Sequence, residues 1–138
     1  MVLQVSIILP DRIFWKDNAK EVILPTLSGQ MGVLKDHIPL LTGLDTGLLL
    51  IRSNSSENWI NIVVTGGFAL INRNKLTILV NEAELGSNID ITEAEQTFLN
   101  SKLTLESDNV SQNKKKIESL SQFKKARARY QASQQFKN

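Results

Sequence analysis

Residues 87–138, SNIDITEAEQTFLNSKLTLESDNVSQNKKKIESLSQFKKARARYQASQQFKN, contain neither glycine nor proline. All seven glycines and all three prolines of the chain lie between Pro10 and Gly86. Because these two residue types are the strongest helix breakers, the C-terminal part is free to form long helices, whereas the preceding part is divided by turns. The sequence therefore predicts two unlike domains, residues 1–87 and residues 88–138.

Short runs of β-branched and aromatic residues predict strands in the first domain. The clusters at residues 54–58 and 72–74 are rich in Asn, which tolerates the positive φ of a tight reversal, so both predict hairpin turns. Gly66 and Gly67 predict a β-turn or bulge between two strands. Many short strands in sequence predict a β-sandwich, or flattened antiparallel β-barrel. The predicted strands are residues 2–9, 21–24, 48–52, 59–64, 68–72 and 76–80.

The sequence of the second domain predicts an α-helical hairpin. Asp90 or Thr92 can cap the first helix, since each is followed three residues later by a glutamate. Residues 106–113 are polar enough to form the reversal between the two helices. Periodicity places Ile91, Ala94, Phe98 and Leu105 on one face of the first helix, and Ile117, Leu120, Phe123 and Tyr130 on an apolar stripe of the second.

The end of the chain is strongly basic. Residues 113–138 hold eight basic side chains against Glu118 alone, and Lys124 and Arg127 project close to the apolar stripe. Long basic stems often lie along a solvated helix face, but cations beside a packing seam lose solvent unless an anion meets them. A solvated face, an acidic protein partner and nucleic acid, with Phe123 and Tyr130 as stacking groups, all remain open. The basic residues are Lys114, Lys115, Lys116, Lys124, Lys125, Arg127, Arg129 and Lys137.

The sequence contains no recognisable catalytic or metal-binding motif. It has no cysteine and one histidine, which excludes a thiolate nucleophile and a site with several histidines. His37 is expected to be a hydrogen-bonded loop residue, and Gly66-Gly67 lacks the Lys and Ser/Thr of a phosphate-binding loop. The carboxylate pairs Asp36/Asp45 and Glu82/Glu84 are expected to be solvated surface. An independent enzyme is therefore the least favoured class, and no cofactor or metal is predicted.

No apolar run approaches the ~18 residues that a membrane-spanning helix needs, and the N-terminus begins almost at once with strand-like sequence. We therefore expect neither a transmembrane segment nor a signal or transit peptide.

Residues 28–39, SGQMGVLKDHIP, closely resemble the S-G-x-x-G-V-L-x-x-H-x-P loop of the epsilon subunit of F-type ATP synthases. Residues 66–69, GGFA, resemble that family's G-G-F-A segment, and residues 79–84, LVNEAE, resemble the strand end before its helical hairpin. Residues 124–129, KKARAR, resemble its tail motif, so the resemblance covers essentially the whole chain. The sequence resembles the chloroplast branch of the family most closely, notably at Pro10-Asp11-Arg12 followed by Trp15.

The resemblance implies a non-catalytic rotor subunit that couples proton flow to ATP synthesis. It implies a β-sandwich that docks on the gamma subunit and the c-ring, and a C-terminal hairpin that inhibits ATP hydrolysis. Gln30 and Met31 would face the rotor ring, while the basic residues of the second helix would meet an acidic segment of the catalytic beta subunit. These basic residues are Lys124, Lys125, Arg127 and Arg129. The loop residues that match the family pattern are Gly29, Gly32, His37, Pro39, Gly66 and Gly67.

The implied location is a plastid, at the stromal face of the thylakoid membrane, where the subunit would be held peripherally through the complex. The Asn- and Lys-rich replacements suit an AT-rich plastid genome. A small β-domain that binds nucleic acid through its basic tail is the competing hypothesis.

One departure from the family concerns nucleotide binding. Some bacterial members bind ATP through an I-D-x-x-R-A motif at the start of the first helix and two arginines on the second. This chain has Glu93 at the place of the motif's arginine, and Lys125 in place of one later arginine. Because a carboxylate repels phosphate, we predict no tight nucleotide site.

Overall fold

The computed structural model describes residues 2–54, 58–107 and 113–134. These residues form seven strands and two α-helices, with a short 3-10 turn at Gly86–Asn88 between the two parts. The elements are β1 (Leu3–Ile8), β2 (Ile13–Thr26), β3 (Gly29–Leu34), β4 (Leu40–Leu44), β5 (Gly47–Ser53), β6 (Trp59–Asn72), β7 (Lys75–Leu85), α1 (Ile91–Ser107) and α2 (Asn113–Gln134).

The sheet closes on itself because its long strands each serve two neighbours. The first part of β6 pairs with β5 and its last part pairs with β4, while β2 pairs with β1, β3 and β5. β1 lies antiparallel to β2 and parallel to β7, which completes the circuit. The result is the predicted β-sandwich followed by two helices, with the parallel β1–β7 pair as a departure from purely antiparallel pairing.

Alternating side chains of the strands fill the core between the layers. Along β1, Leu3, Val5 and Ile7 are fully buried, as the period of two requires. Other buried members of this core are Val22, Leu24, Val33, Leu49, Ile51, Ile62, Val64, Ile71, Leu76 and Ile78.

The prediction of a turn or bulge at Gly66-Gly67 is wrong, because both glycines lie inside β6. Pairing with β7 keeps one register on both sides of them, with Thr65 opposite Glu82 and Gly67 opposite Val80. A Cβ atom on Gly67 would stand 1.9 Å from the carbonyl oxygen of Leu79. Glycine is needed here for the close approach of two strands and not for a chain reversal.

The predicted turn at residues 72–74 is confirmed. Arg73 (φ 49°) and Asn74 (φ 61°) form the two-residue connection between β6 and β7. Asn74 also fixes the turn after β3, since its Oδ1 accepts a 2.6 Å hydrogen bond from the Asp36 amide. β5 and β6 are antiparallel neighbours, as expected of the other predicted hairpin. Its turn, residues 55–57, falls outside the described residues.

The helical hairpin begins where the sequence predicts. Asp90 caps α1, with its Oδ1 accepting a 3.0 Å hydrogen bond from the Glu93 amide. Phe98 of α1 stacks between Phe123 and Tyr130 of α2, with ring centroids 5.6 and 5.2 Å away. Residues 108–112 of the predicted reversal lie outside the described residues.

The predicted apolar stripe of α2 is only partly correct. Ile117 and Leu120 are 67% and 42% exposed, whereas α2 buries Ala126, Ala128 and Ala132. Small side chains let the helix approach its neighbours closely, a feature that hydrophobic periodicity does not reveal.

Candidate functional site

The basic side chains of α2 lie against acidic side chains of the sandwich. Lys124 Nζ is 3.2 Å from Asp45 Oδ2, in the connection between β4 and β5, and Lys125 Nζ is 2.8 Å from Glu82 Oε2 on β7. Asp45, Glu82 and Glu84 are exposed or partly exposed, as predicted of solvated surface, but all three also pair with α2, which the sequence does not predict. Asp36, the remaining member of those predicted pairs, bonds Asn74 instead.

Arg129 joins three elements at one point. Its Nε lies 2.8 Å from Glu84 Oε1 on β7, and its two terminal nitrogens lie 3.0 Å from the two carboxylate oxygens of Glu93 on α1. The Arg129 side chain is only 17% exposed. The hydrogen bond from Arg129 holds the pKa of Glu93 below its usual value, and the two carboxylates raise the pKa of Arg129. We call Asp45, Glu82, Glu84 and Glu93 the acidic quartet.

Arg127 differs from the other three basic residues. It is exposed, and its guanidinium carbon lies 5.5 Å from the centroid of the Phe123 ring. The sequence predicts that both Lys124 and Arg127 lie beside the apolar stripe. Of these two, Lys124 is drawn to Asp45, whereas Arg127 presents its charge to solvent.

The apolar contact beneath α2 is small. Val63, Ile89, Ala94, Ala128 and Ala132 form a buried cluster separate from the sandwich core, with Leu48 packed against it.

Polar features interrupt this apolar contact. A cleft of about 610 Å³ lies beside the cluster, between β6, β7 and the hairpin. Asn61 Oδ1 and Thr65 Oγ1 are buried without a hydrogen-bond partner. Since each unsatisfied buried polar group costs roughly 1–3 kcal/mol, the surface between hairpin and sandwich is far from optimal packing.

The predicted loop around Gln30 and Met31 is β3, which the sequence analysis does not assign as a strand. Among the described strands β3 pairs with β2 alone, so its other side is a free edge. Gln30 is exposed, Met31 is half-buried against the core, and Gly29 at φ 117° closes the turn from β2.

The remaining predicted loop residues before β4 lie in β3 or in the segment that follows it. His37 Nδ1 lies 2.7 Å from the Ile38 carbonyl oxygen, which confirms the expected hydrogen-bonded loop histidine. Gly32 lies in β3, and Pro39 is exposed just before β4. Three large apolar side chains, Leu27, Leu34 and Ile38, are exposed around them.

A second exposed apolar surface crosses the outside of the sheet. Ile13 pairs with Ile8, Ile8 with Leu79, and Leu79 with Phe68, which places them in one row across four strands. Leu70 and Leu41 pair in the adjacent row. We call Ile13, Leu41, Phe68, Leu70 and Leu79 the apolar sheet patch; each is 48–66% exposed. This patch is not predicted from the sequence, although the unbroken apolar run at residues 68–71 is a signal that both faces of β6 are covered.

Neither helix of the described part of the chain is long and apolar enough to cross a membrane. Within the described ranges, no three His, Asp or Glu side chains come together as metal ligands would.

Comparisons with known proteins agree with this architecture. Residues 2–86 match the family model of the ATP synthase delta/epsilon chain β-sandwich domain. The chain is 58% identical to the chloroplastic ATP synthase epsilon chain of Euglena gracilis over 97% of its length and 98% of the relative. It is 53% identical to the chloroplastic chain of Chlorella vulgaris and 45% identical to the plastid chain of Prototheca wickerhamii, each over 98% of both chains.

Two solved structures share the fold at low sequence identity. A chain in the mitochondrial ATP synthase of Euglena gracilis, resolved with its c-ring, superposes with a TM-score of 0.79 at 19% identity, over 92% of this chain and 78% of that one. A chain in the central stalk and c-ring of the Tetrahymena thermophila enzyme gives a TM-score of 0.63 at 17% identity, over 96% and 97% of the two chains. The β-sandwich match and the near full-length identity to plastid chains show that this chain belongs to the epsilon-chain family of ATP synthases.

Proposed function

We propose that this chain is a central-stalk rotor subunit of a plastid F-type ATP synthase, which docks through its sandwich and restrains ATP hydrolysis through its hairpin. The family assignment supports a non-catalytic subunit, and it gives no support to the nucleic-acid alternative. The observation that carries the inhibitory part is the basic helix α2, three of whose cations pair with carboxylates of the sandwich.

The gamma subunit is the proposed occupant of the apolar sheet patch. Contiguous exposed apolar surface of this kind marks protein interfaces, and five large side chains on a rigid sheet form a flat platform. A stalk subunit needs a firm attachment to turn with the rotor, and apolar burial supplies a firm contact that salt does not screen.

The c-ring is the proposed partner of the end that carries Gln30 and Met31. The free edge of β3 lies on this segment, and Leu27, Leu34 and Ile38 are exposed along it and in its flanking turns. Structural neighbours with the same fold come from assemblies that contain the c-ring, which supports this assignment. In a plastid this end would face the thylakoid membrane from the stromal side.

The catalytic beta subunit is the proposed partner of Lys124, Lys125, Arg127 and Arg129. An acidic segment is the natural complement of four cations on one helix. Arg127 already faces solvent, whereas the other three must first leave Asp45, Glu82, Glu84 and Glu93. The hairpin therefore has to separate from the sandwich before all four cations can engage the partner.

Nucleotide is not expected to control the hairpin tightly. The Arg129 guanidinium, a natural phosphate ligand, is occupied by two carboxylates. Hydrogen exchange of the hairpin should be the same with and without millimolar ATP. Strong protection by ATP would contradict this expectation.

Docking is tested by binding to a catalytic head that contains gamma and lacks its own epsilon subunit. Phe68→Lys and Leu70→Lys place charges in the apolar sheet patch, and we expect each to weaken binding at least tenfold. Ile117→Lys, an equally drastic change at an exposed apolar site on α2, is the matched control and should bind normally. Normal binding of both patch variants would contradict the proposed gamma surface.

A further inference from the structure

We propose that the acidic quartet is an internal competitor that withholds the cations of α2 from an external partner: Asp45, Glu82 and Glu84 hold α2 against the sandwich, and Glu93 holds it against α1. This inference rests on the proposed inhibitory function and names the groups that regulate it. Asp45, Glu82, Glu84 and Glu93 come from the β4–β5 connection, β7 and α1, and converge on one helix.

The geometry is that of a charge-complementary docking surface. Three of the four cations of this part of α2, Lys124, Lys125 and Arg129, meet the four carboxylates at 2.8–3.2 Å, so that each of the three has its own anion. Arg129 has two, and it is the least exposed of the three. An acidic segment of another protein would have to displace these same carboxylates.

The remaining contacts are too weak to make docking permanent. The buried cluster under α2 consists mainly of alanines with Val63 and Ile89. Thr65 of β6 lines the open cleft beside this cluster, so the apolar contact does not extend across the whole underside of the hairpin. The ion pairs are therefore a substantial part of what holds α2 in the docked state.

The docked state should consequently respond to ionic strength. Raising the salt concentration from about 0.1 M to about 1 M shortens the screening length from ~10 Å to ~3 Å. Exposed pairs such as Lys125–Glu82 are weakened first, since solvent and ions reach them directly. The sandwich core contains none of these pairs and should remain folded.

The experiment measures docking by fluorescence energy transfer between dyes on two introduced cysteines. The native chain has no cysteine, so Lys16→Cys on β2 and Gln131→Cys on α2, both at exposed positions, give specific labelling. The full-length protein is titrated with salt, and circular dichroism follows the sandwich separately. We expect the docked fraction to fall at least threefold across the salt range.

Four further variants isolate the charges. D45N/E82Q/E84Q/E93Q should be undocked even at low salt, whereas D11N/D17N/E95Q/E118Q, which removes the same charge from exposed carboxylates, should dock normally. E82K/K125E reverses one pair and should dock better than K125E alone. The proposal would be overturned if the wild-type hairpin stayed docked at high salt. It would equally be overturned if the hairpin of the quartet variant stayed docked at low salt.

Inhibition of ATP hydrolysis separates this proposal from the function on which it rests. The quartet variant should inhibit an epsilon-depleted catalytic head at a lower concentration than the wild type, by at least threefold. If the variant undocks without a change in inhibition, the acidic quartet still holds the hairpin, but the proposed inhibitory role of α2 is wrong.

Discussion

Gly67 is the residue at which the sheet tolerates least change. Its backbone approaches the Leu79 carbonyl so closely that a Cβ would lie 1.9 Å from that oxygen. Gly67→Ala must push β6 and β7 apart, and we expect it to lower the free energy of unfolding by roughly 1–3 kcal/mol or more. Gly32→Ala is the control, because its Cβ would meet only Glu21 Oε2, at 3.9 Å. Chemical denaturation measures both, and equal stabilities would contradict the close-approach interpretation.

Glu93 gives the contact between α1 and α2 a pH dependence. The bond from Arg129 lowers the pKa of Glu93 in the folded protein relative to the unfolded chain. The contribution of Glu93 is therefore fully present above the ordinary carboxyl pKa, and it is lost as the pH falls through the lowered value. Because the pKa of Arg129 is raised, this residue stays charged throughout that window.

The contact between α1 and α2 should accordingly weaken on acidification below about pH 4.5. Glu93→Gln should remove part of this pH dependence, whereas Glu95→Gln should leave it intact. Packing of α2 against α1 is followed by amide hydrogen exchange of the two helices in the full-length protein. An unchanged acid transition in Glu93→Gln would show that other groups govern the effect.

Features that depend on neighbouring residues could be predicted from the sequence, whereas ion pairs between residues far apart in the chain could not. The Asp90 cap and the Asn74 turn depend on neighbours within a few positions, and both predictions are confirmed. Arg129 meets Glu93 and Glu84, which lie 36 and 45 residues earlier in the chain. Such pairs follow from how the hairpin rests on the sandwich, which no local pattern specifies.

At the scale of elements, the strands with glycine were the difficult ones. β3 and β4 carry Gly29, Gly32 and Gly43, and glycine lowers strand propensity, so the sequence predicted neither strand. Their place in the sheet comes from pairing with β2 and β6. In α2 the periodicity predicts that the large apolar residues are buried, whereas alanines make the buried contact.

The two helices are joined by the aromatic stack of Phe98, Phe123 and Tyr130. Each stacked pair is worth about 0.5–1.5 kcal/mol beyond the area that it buries. Phe98→Ala removes both pairs, so we expect α2 to lose helical order and to exchange amide hydrogens faster. Leu99→Ala, at the neighbouring exposed position, is the control and should behave as wild type. Equal exchange in the two variants would contradict a structural role for the stack.

The whole molecule combines a β-sandwich that has the main hydrophobic core with a helical hairpin that packs on it through a smaller cluster. The main core lies within the sandwich, whereas the hairpin contributes to a separate and smaller cluster. We therefore propose that residues 1–87 and 88–138 act as docking and regulatory domains. The sequence resemblance anticipated this organisation and the basic arm, but neither the apolar sheet patch nor the acidic quartet, since both arise only when distant strands are placed side by side.

The most direct test of the inhibitory role is the titration of an epsilon-depleted plastid catalytic head with full-length protein while ATP hydrolysis is measured. Four proteins are compared: the wild type, a variant truncated after Ser87, K124A/K125A/R127A/R129A, and the matched control K16A/K35A/R73A/K75A, whose exposed cations lie on the sandwich. We expect inhibition by the wild type and the control alone, with all four still bound to the head. Equal inhibition by the truncated protein or by the α2 variant would contradict a brake that acts through the basic helix.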